Sequence, residues 1–312
     1  MPSEPGDNVP PPADNCAVFV HWGTVDTTVR STLATVASGL FKSVVVVAND
    51  GKERPAALAL PSIRWEVPPR NLGFAGGCEY GAALVHARRY AFLNADLTMT
   101  PDSLASCLDV LDQPGIGICG PVLHRADGSI QSSCGSLSRI CCTPKATGPL
   151  SASALCDCDW VTGAALFCRA EVLETVHWDG SYFFAYEDTD FCLRARARGW
   201  KVVVVRGATG MHEGGATSRA HPGIVRGFAF YGSRNRIWFV RRHGSPFQSA
   251  LATLAVIGLG FRIAVADVLK RRKPHLAPYV AGIRAGWGAL PSDLEPLEGE
   301  PFGRQWSDWG AA

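Results

Sequence analysis

The sequence predicts an α/β fold built on a mostly parallel sheet. Two observations carry this. Short valine-rich runs without polar alternation, at residues 43–48 and 201–206, are those of strands buried on both faces. Segments with apolar residues at helical spacing alternate with such runs in the order strand, helix, strand. Sheets of this kind bind ligands beyond the carboxyl ends of their strands. The residues at those ends are the first candidates for function.

The bulk properties bound the answer. At 312 residues the chain holds one large domain, or one domain with an appendage. With 47% hydrophobic and 19% charged residues it is globular rather than disordered. A net charge of +2 gives no case for nucleic acid as a partner. Eleven cysteines, an odd and scattered set in a chain this long, read as reduced intracellular thiols. No apolar run of about 18 or more residues is free of charge, so no clean membrane-crossing helix is expected.

In chain order, residues 1–14 are polar and Pro-rich and read as a flexible tail, with no leader peptide. Residues 16–22 form a strand ending in His21 and Trp22. A helix over 24–40 follows, with Thr24 and Asp26 as capping candidates and Val29, Leu33, Val36 and Leu40 at helical spacing. Residues 43–48 are the second strand, closed by the turn Asn49-Asp-Gly51, and 64–67 read as a third. His21, Trp22 and Asn49 to Gly51 thereby share one rim, although loop residues of no function have the same pattern.

The stretch Arg70-Asn-Leu-Gly-Phe-Ala-Gly-Gly77 is glycine-rich and runs into a helix expected over 82–89. Gly73, Gly76 and Gly77 let backbone amides approach an anion at a helix start. The spacing is neither the dinucleotide fingerprint nor a P-loop. Residues 90–93 form a strand ending in Asn94-Ala-Asp96. An acid there suits a divalent cation held between one or two carboxylates and phosphate oxygens. A helix over 101–111 and a strand over 115–122 precede the loop-rich residues 123–148. Cys134, Cys141, Cys142, Cys156 and Cys158 fit no zinc spacing. Residues 159–168 read as a strand with a kink at Gly163, and a helix starts at Ala170.

The most informative stretch is residues 182–200. Glu187, Asp188 and Asp190 stand at the mouth of a helix, behind Tyr182, Phe183, Phe184 and Tyr186. Leu193, Ala197 and Trp200 recur at helical spacing, and Gly199 is a helix stop. A base that takes a proton from a hydroxyl needs a positioned, partly dry carboxylate of this kind. A helix start supplied with capping acids has the same sequence, so both readings stand on these residues alone. His212 follows the strand over 201–206 and falls among glycines on the same rim as Asp96 and Asp188.

From Arg226 the composition changes. Arg and Lys from Arg226 to Lys273 face the single acid Asp267 and interleave with Ile237-Trp-Phe-Val240 and the apolar run 251–268, which Arg262 and Asp267 interrupt. Two readings stay open: a helix in a membrane interface, or a helical hairpin packed on the main domain. The stretch after Pro291 is acidic.

Seven pieces in order carry a resemblance. They are Val46-Val-Ala-Asn-Asp-Gly51, Asn71-Leu-Gly-Phe-Ala-Gly-Gly77, Leu93-Asn-Ala-Asp96, Trp160-Val-Thr-Gly-Ala164, Phe184-Ala-Tyr-Glu-Asp-Thr-Asp190, His212-Glu-Gly-Gly-Ala-Thr-Ser218 and Tyr231-Gly-Ser-Arg-Asn235. Over residues 16–240 the chain resembles the inverting, family 2 type glycosyltransferases of GT-A fold, especially the rhamnosyltransferase-like branch.

The resemblance implies an α/β GT-A domain with a Rossmann-like, mostly parallel central sheet over residues 15–225, and a basic, apolar helical region over 226–312. It implies an Mg²⁺ or Mn²⁺ cofactor and a nucleoside-diphosphate sugar donor. The acceptor is a glycan, a lipid-linked molecule or a small molecule. Asp188 matches the catalytic base, with Glu187 orienting it. Asp96 matches the last acid of the metal motif, and Asn94 stands where the first acid often is. His212 matches the histidine that joins metal and diphosphate. Asn49 matches the nucleotide-contacting pair, Ala48 replaces its acid, and Asp50 is the neighbouring substitute. Asn71 and Gly73 match the loop beside the nucleotide, and His21 lies on the same rim. Trp160, Gly163 and Tyr186 fall to the acceptor and sugar pocket. The implied setting is cytoplasmic, with peripheral contact at the inner membrane face. A glycoside hydrolase would need two flanking carboxylates, and an inactive sugar-nucleotide or glycan-binding homologue would tolerate Ala48 and Asn94.

Overall fold

A computed structural model describes residues 13–149, 153–213, 224–271 and 276–290. The expected tail up to residue 12, residues 214–218 of the histidine motif, Arg272, Lys273 and the acidic stretch after Pro291 lie outside them. Twelve strands and eight helices are described. β1 (Ala13–His21), α1 (Val25–Ala37), β2 (Ser43–Ala48), β3 (Ile63–Glu66), α2 (Gly73–Ala83) and β4 (Ala87–Asn94) come first. β5 (Leu97–Met99), α3 (Pro101–Val110), β6 (Ile116–His124), β7 (Ile130–Ser132), β8 (Ser136–Leu137) and β9 (Pro144–Lys145) follow. Then come β10 (Leu155–Asp157), β11 (Ala165–Arg169), α4 (Ala170–Thr175), α5 (Glu187–Ala197) and β12 (Lys201–His212). Three helices end the described chain: α6 (Ile224–His243), α7 (Pro246–Leu269) and α8 (Ala277–Trp287).

The main sheet runs β10-β12-β6-β11-β4-β1-β2-β3. β3, β2, β1 and β4 are parallel, as are β6 and β12, while β11 is antiparallel to both β4 and β6. Six strands therefore point the same way, and the expected α/β, mostly parallel sheet is present. Side chains alternate between two cores. Val18, Val45, Val47, Phe92 and Leu166 meet Cys78 of α2, Val172 of α4 and Phe191 of α5 on one face. Ala17, Phe19, Val44, Val46 and Leu93 meet Leu104, Cys107 and Leu108 of α3 on the other. Covering both faces explains the uninterrupted valines of β2.

Three local expectations are corrected. The glycine-rich stretch is itself α2, from Gly73, and residues 87–89 belong to β4 instead of a helix over 82–89. A Cβ at Gly77 would lie 2.8 Å from a methyl of Val20, and one at Gly81 2.5 Å from a methyl of Val18. Close packing on β1 thus outweighs the poor helix propensity of glycine. In α1 the fully buried residues are the polar Thr28, Ser31, Thr32 and Thr35, while Val29, Leu33 and Val36 are half-buried against the core. In α5 the buried residues include Phe191, Cys192 and Ala195, and Leu193 is only partly covered. Gly199 does end this helix, at φ +90°.

Helix α7 revises the membrane expectation. It is long and apolar enough to cross a bilayer, and only 22% of its most apolar window is buried. It packs with α6 and α8. α6 in turn carries Phe239 and Val240 against Tyr182 and Tyr186, the aromatics before the acidic helix start.

Candidate active site

β1, β2, β4 and β12 all end on one rim, which brings His21, Asn49, Asn94 and His212 to the same side of the sheet. The turn between β4 and β5 carries Asp96. Ser31 of α1 supports this turn by donating to the carbonyls of Ala95 and Leu97, at 2.8 Å each. β5 pairs with the end of β12, and the Glu213 amide donates to the Asp96 carbonyl at 3.1 Å. These contacts set His212 beside Asp96.

The His212 ring sits among three polar groups. Its Nδ1 is 3.0 Å from Gln131 Oε1, and its Nε2 is 3.1 Å from Asn94 Nδ2 and 3.0 Å from Asp96 Oδ1. With Nδ1–H donating to Gln131, the Nε2 lone pair faces the Asp96 carboxylate. Two acceptors at that distance call for a proton or a cation between them. Ligands on adjacent corners of an Mg²⁺ octahedron, with bonds of about 2.1 Å, lie about 3 Å apart. The pair therefore fits a divalent cation. Among the described residues no group of three or more His, Cys, Asp or Glu forms a metal cage. Two protein ligands with the rest from phosphate and water is the usual Mg²⁺ arrangement beside a phosphorylated substrate.

A cleft of about 400 Å³ joins this corner to the start of α5; its lining includes Phe74, Asn94, Trp160, Gly163, Tyr186, Glu187, Asp188 and His212. Asp188 is half-buried there. Its Oδ2 accepts from the Gly163 amide at 2.9 Å, and its Oδ1 accepts from the Thr189 amide at 2.6 Å and hydroxyl at 3.2 Å. Burial pushes the Asp188 carboxyl up from its ordinary value, and these donors restrain the rise. Glu187 is buried and its Oε2 has no partner. Burial first, and the Asp188 charge second, push it well above the usual carboxylate range. Asp190 is different. It is fully buried and bound by Arg194 at 2.7 Å, Arg242 at 3.1 Å and His243 at 2.7 Å. Burial alone would raise its pKa; His243, Arg194 and Arg242 outweigh that and hold it well below the ordinary range. The three acids expected together thus divide: two face the cleft, and the third ties α5 to α6.

The donor-side candidates lie deeper than the sequence implies. His21 is fully buried, with Nδ1 2.7 Å from Thr28 Oγ1 and Nε2 3.4 Å from Asp50 Oδ2. Asn49 is buried with both ends of its amide committed: Nδ2 donates to the Gly73 carbonyl at 2.7 Å and Oδ1 accepts from the Leu72 amide at 3.2 Å. Asn71 accepts from the Gly73 amide at 2.9 Å. Asn49 and Asn71 thus shape the loop into α2, while His21 ties β1 to α1 and faces Asp50. Asp50 is more accessible and accepts from the Gly23 amide at 3.0 Å, with Lys52 Nζ at 2.9 Å. Burial works to raise its pKa, but His21, the Gly23 amide and Lys52 hold it well below the ordinary range.

Gln131 has no signal in the sequence, and Thr189 is visible within a motif without a role. Arg234 and Asn235 were visible within a motif but carried no role. A larger cleft, about 510 Å³, opens elsewhere, among Glu79, Arg89, Asp112, Arg169 and His177. Its arginines bind the carbonyls of Leu108 and Gln113 at the end of α3, and its charges are mixed. Asn94, Asp188 and His212 line the smaller cleft instead.

Comparison with known proteins gives the family. The sequence profile of "Glycosyl transferase family group 2" matches residues 91–266, more than half of the chain, and that of "Glycosyl transferase family 2" matches residues 16–136. No curated protein matches the sequence. The mannosyltransferase PcManGT from Pyrobaculum calidifontis, in complex with GDP-Man and Mn²⁺, is similar in fold: 12% identity, TM-score 0.56, covering 91% of each chain. So is GalNAc-T7 with UDP, GalNAc and Mn²⁺, at 12% identity and TM-score 0.53, over 64% of this chain and 44% of that one. The chain thus spans less than half the length of the second structure. With the two profiles reaching from residue 16 to residue 266, the chain belongs to glycosyl transferase family 2, and it is a glycosyltransferase with the GT-A fold.

Proposed function

We propose that this glycosyltransferase moves a sugar from a nucleoside-diphosphate donor to an acceptor hydroxyl with inversion at the anomeric carbon, and that it needs Mg²⁺ or Mn²⁺. The observation that carries this is the shared cleft. One anchored carboxylate, Asp188, opens into the same space as the His212–Asp96 corner. In the proposed reaction Asp188 takes the proton of the attacking hydroxyl. Its Oδ2 keeps a free lone pair beyond the bond to the Gly163 amide, so a hydroxyl can still donate to it. Burial pushes the Glu187 carboxyl well above the usual range, while the Gly163 and Thr189 donors favour the carboxylate at Asp188. His212 and Asp96 hold the cation, with Asn94 beside them. That cation would neutralise charge on the departing diphosphate. Asn49, Asn71 and Gly73 act on the donor through the loop they shape, Asp50 faces it more directly, and His21 acts through Asp50. Trp160, Gly163 and Tyr186 line the acceptor side. A one-step displacement needs a single base and no protein nucleophile, which matches one free acid at the cleft.

The UDP and GDP-Man in the two similar structures support a nucleoside-diphosphate donor. The seven motifs support a deoxyhexose such as rhamnose. The eleven free thiols support a cytoplasmic setting. The exposed apolar side of α7, with α6 and α8 forming a helical region after residue 225, supports peripheral contact with a membrane and a lipid-linked acceptor.

The experiment is a panel of nucleotide sugars with Mn²⁺ or with EDTA, followed by NMR of the product anomer. Transfer with the anomeric configuration reversed is the expected result. Retained configuration would overturn the one-base mechanism. Donor binding with neither transfer nor slow donor hydrolysis would favour the inactive, sugar-nucleotide-binding reading that Asn94 keeps open.

A further inference from the structure

The turn that delivers Asp188 is wound against the preference of its residues. Phe183, Ala185 and Tyr186 have φ of 62°, 68° and 74°. Three of the five non-glycine residues with positive φ in the described chain thus fall within four positions. L-residues avoid this region, and outliers of this kind persist only where their surroundings impose them.

The surroundings here are specific. Six consecutive carbonyls, from Ser181 to Tyr186, are all bonded. The two hydrogens of Asn235 Nδ2, on α6, are shared among the carbonyls of Tyr182, Phe184 and Ala185, at 2.8, 2.6 and 2.9 Å. Arg234 donates to the carbonyls of Ser181 and Tyr182, at 2.7 and 3.1 Å, and its Nε holds Asn235 Oδ1 at 2.8 Å. The Phe74 amide of α2 takes the Phe183 carbonyl at 2.7 Å, and the Asp190 amide takes that of Tyr186 at 2.9 Å. Asn235 is fully buried and Arg234 nearly so. The Arg234 guanidinium lies 4.1 Å from the Trp238 ring centroid and 4.8 Å from that of Tyr231.

We propose that Asn235, oriented by Arg234, is a positioning residue for Asp188: it imposes the left-handed turn that aims the carboxylate at the Gly163 amide and into the cleft. This rests on the reading of Asp188 as the base. A side-chain amide is suited to the task because its NH₂ group is donor-only. Aspartate, of the same shape, would aim oxygens at three carbonyls. The cation corner stands apart from the turn, since Asp96 and His212 are carried by the ends of β4 and β12, and the donor-side loop meets the turn through the Phe74 amide and not through Asn235. The clamp should therefore govern transfer while leaving nucleotide binding alone.

The test compares wild type, Asn235→Ala, Asn235→Asp and the double variant Ala185→Gly/Asn235→Ala. Three readouts are needed: transfer rate, affinity for the nucleoside diphosphate with Mn²⁺ by calorimetry, and amide hydrogen exchange over residues 183–188. Misplacing a reacting group by about 1 Å costs about 10²-fold in rate, so kcat should fall on that scale in both single variants. Nucleotide affinity should hold, and exchange should quicken over residues 183–188 but not in β4 or β12. Glycine adopts positive φ without penalty, so Ala185→Gly should restore part of the rate lost in Asn235→Ala. A purely structural role would not give that rescue. Unchanged exchange and rate in the single variants would overturn the proposal, as would nucleotide affinity lost in step with rate, or no rescue by glycine. If Asn235→Ala does not fold, Asn235→Ser, which keeps one donor, takes the same measurements. Absence of transfer in the wild type would count against the proposed function alone, and the exchange data would still decide the clamp.

Discussion

The Gly163 amide donates to Asp188 Oδ2 at 2.9 Å, across 25 residues of sequence. The bond joins the loop before β11 to the first turn of α5. A Cβ at position 163 would lie 2.8 Å from the Phe74 ring and 3.3 Å from the Asp188 Cβ, so glycine is what allows the approach. The amide favours the carboxylate and burial opposes it, which keeps a base in a partly dry cleft.

Replacing Asp188 by Asn keeps the shape of this contact and removes the basicity. Transfer should fall by about 10²-fold or more, the usual scale for a general base. Affinity for nucleoside diphosphate, measured separately by calorimetry, should change little. Turnover near the wild-type rate would remove Asp188 from the mechanism.

Glu187 gives a pH-dependent expectation. Its folded pKa lies above the ordinary value of 4.5. The favourable contribution of the neutral acid is thus fully present below that value and is lost as pH rises through the raised pKa. Glu187→Gln stays neutral throughout. The melting temperature of the variant should gain on wild type as pH goes from 4 to 9. A constant difference across that range would show that Glu187 is not a strained acid.

In the proposed mechanism Asp96 and His212 tie nucleotide binding to the cation. A ligand at about 100 times its dissociation constant stabilises the fold by about 2.7 kcal/mol, which a melting shift detects. Nucleoside diphosphate with Mn²⁺ should therefore raise the melting temperature of wild type and not that of Asp96→Ala. An equal shift for wild type in EDTA would show that the cation is dispensable for binding.

Much of this site was readable because strand ends announce themselves. His21, Asn49 and Asn94 each follow a run of buried apolar residues, His212 ends the strand that the buried valines 202–205 begin, and a parallel sheet brings such ends together. What these residues do on the rim was harder to read. His21 and Asn49 look like ligand contacts in sequence, yet each is committed to a protein partner that only the folded loops supply. Gln131 reaches His212 from a short strand 81 positions away, and nothing local marks it. Asn235 sits about 50 residues beyond the turn it holds. The α2 glycines read as a loop because propensity was weighed without the β1 methyls that require them. Long-range hydrogen bonds and close backbone approach are therefore what the sequence withheld.

Helix α7 supplies the last prediction. Phe247, Leu254, Phe261 and Val268 recur every seven residues on one side and are 60–70% exposed. The opposite side buries Ser249, Ala252, Val256 and Gly260, and a Cβ at Gly260 would meet the Tyr279 ring of α8 at 3.3 Å. Arg262, Lys270 and Arg271 are exposed along the same helix and just after it. A helix with one side packed on protein and the other apolar and edged with cations suits a position in the plane of an anionic membrane surface. Each basic group near such a surface adds about 1 kcal/mol. The protein should therefore float with phosphatidylglycerol vesicles at low salt, bind phosphatidylcholine vesicles less, and release as salt rises. Phe261→Glu should weaken flotation and leave transfer to a soluble acceptor intact. Failure to bind anionic vesicles at low salt would leave α7 as part of a packed hairpin. Binding that resists both high salt and alkaline carbonate would show instead that α7 crosses the bilayer, as its length allows.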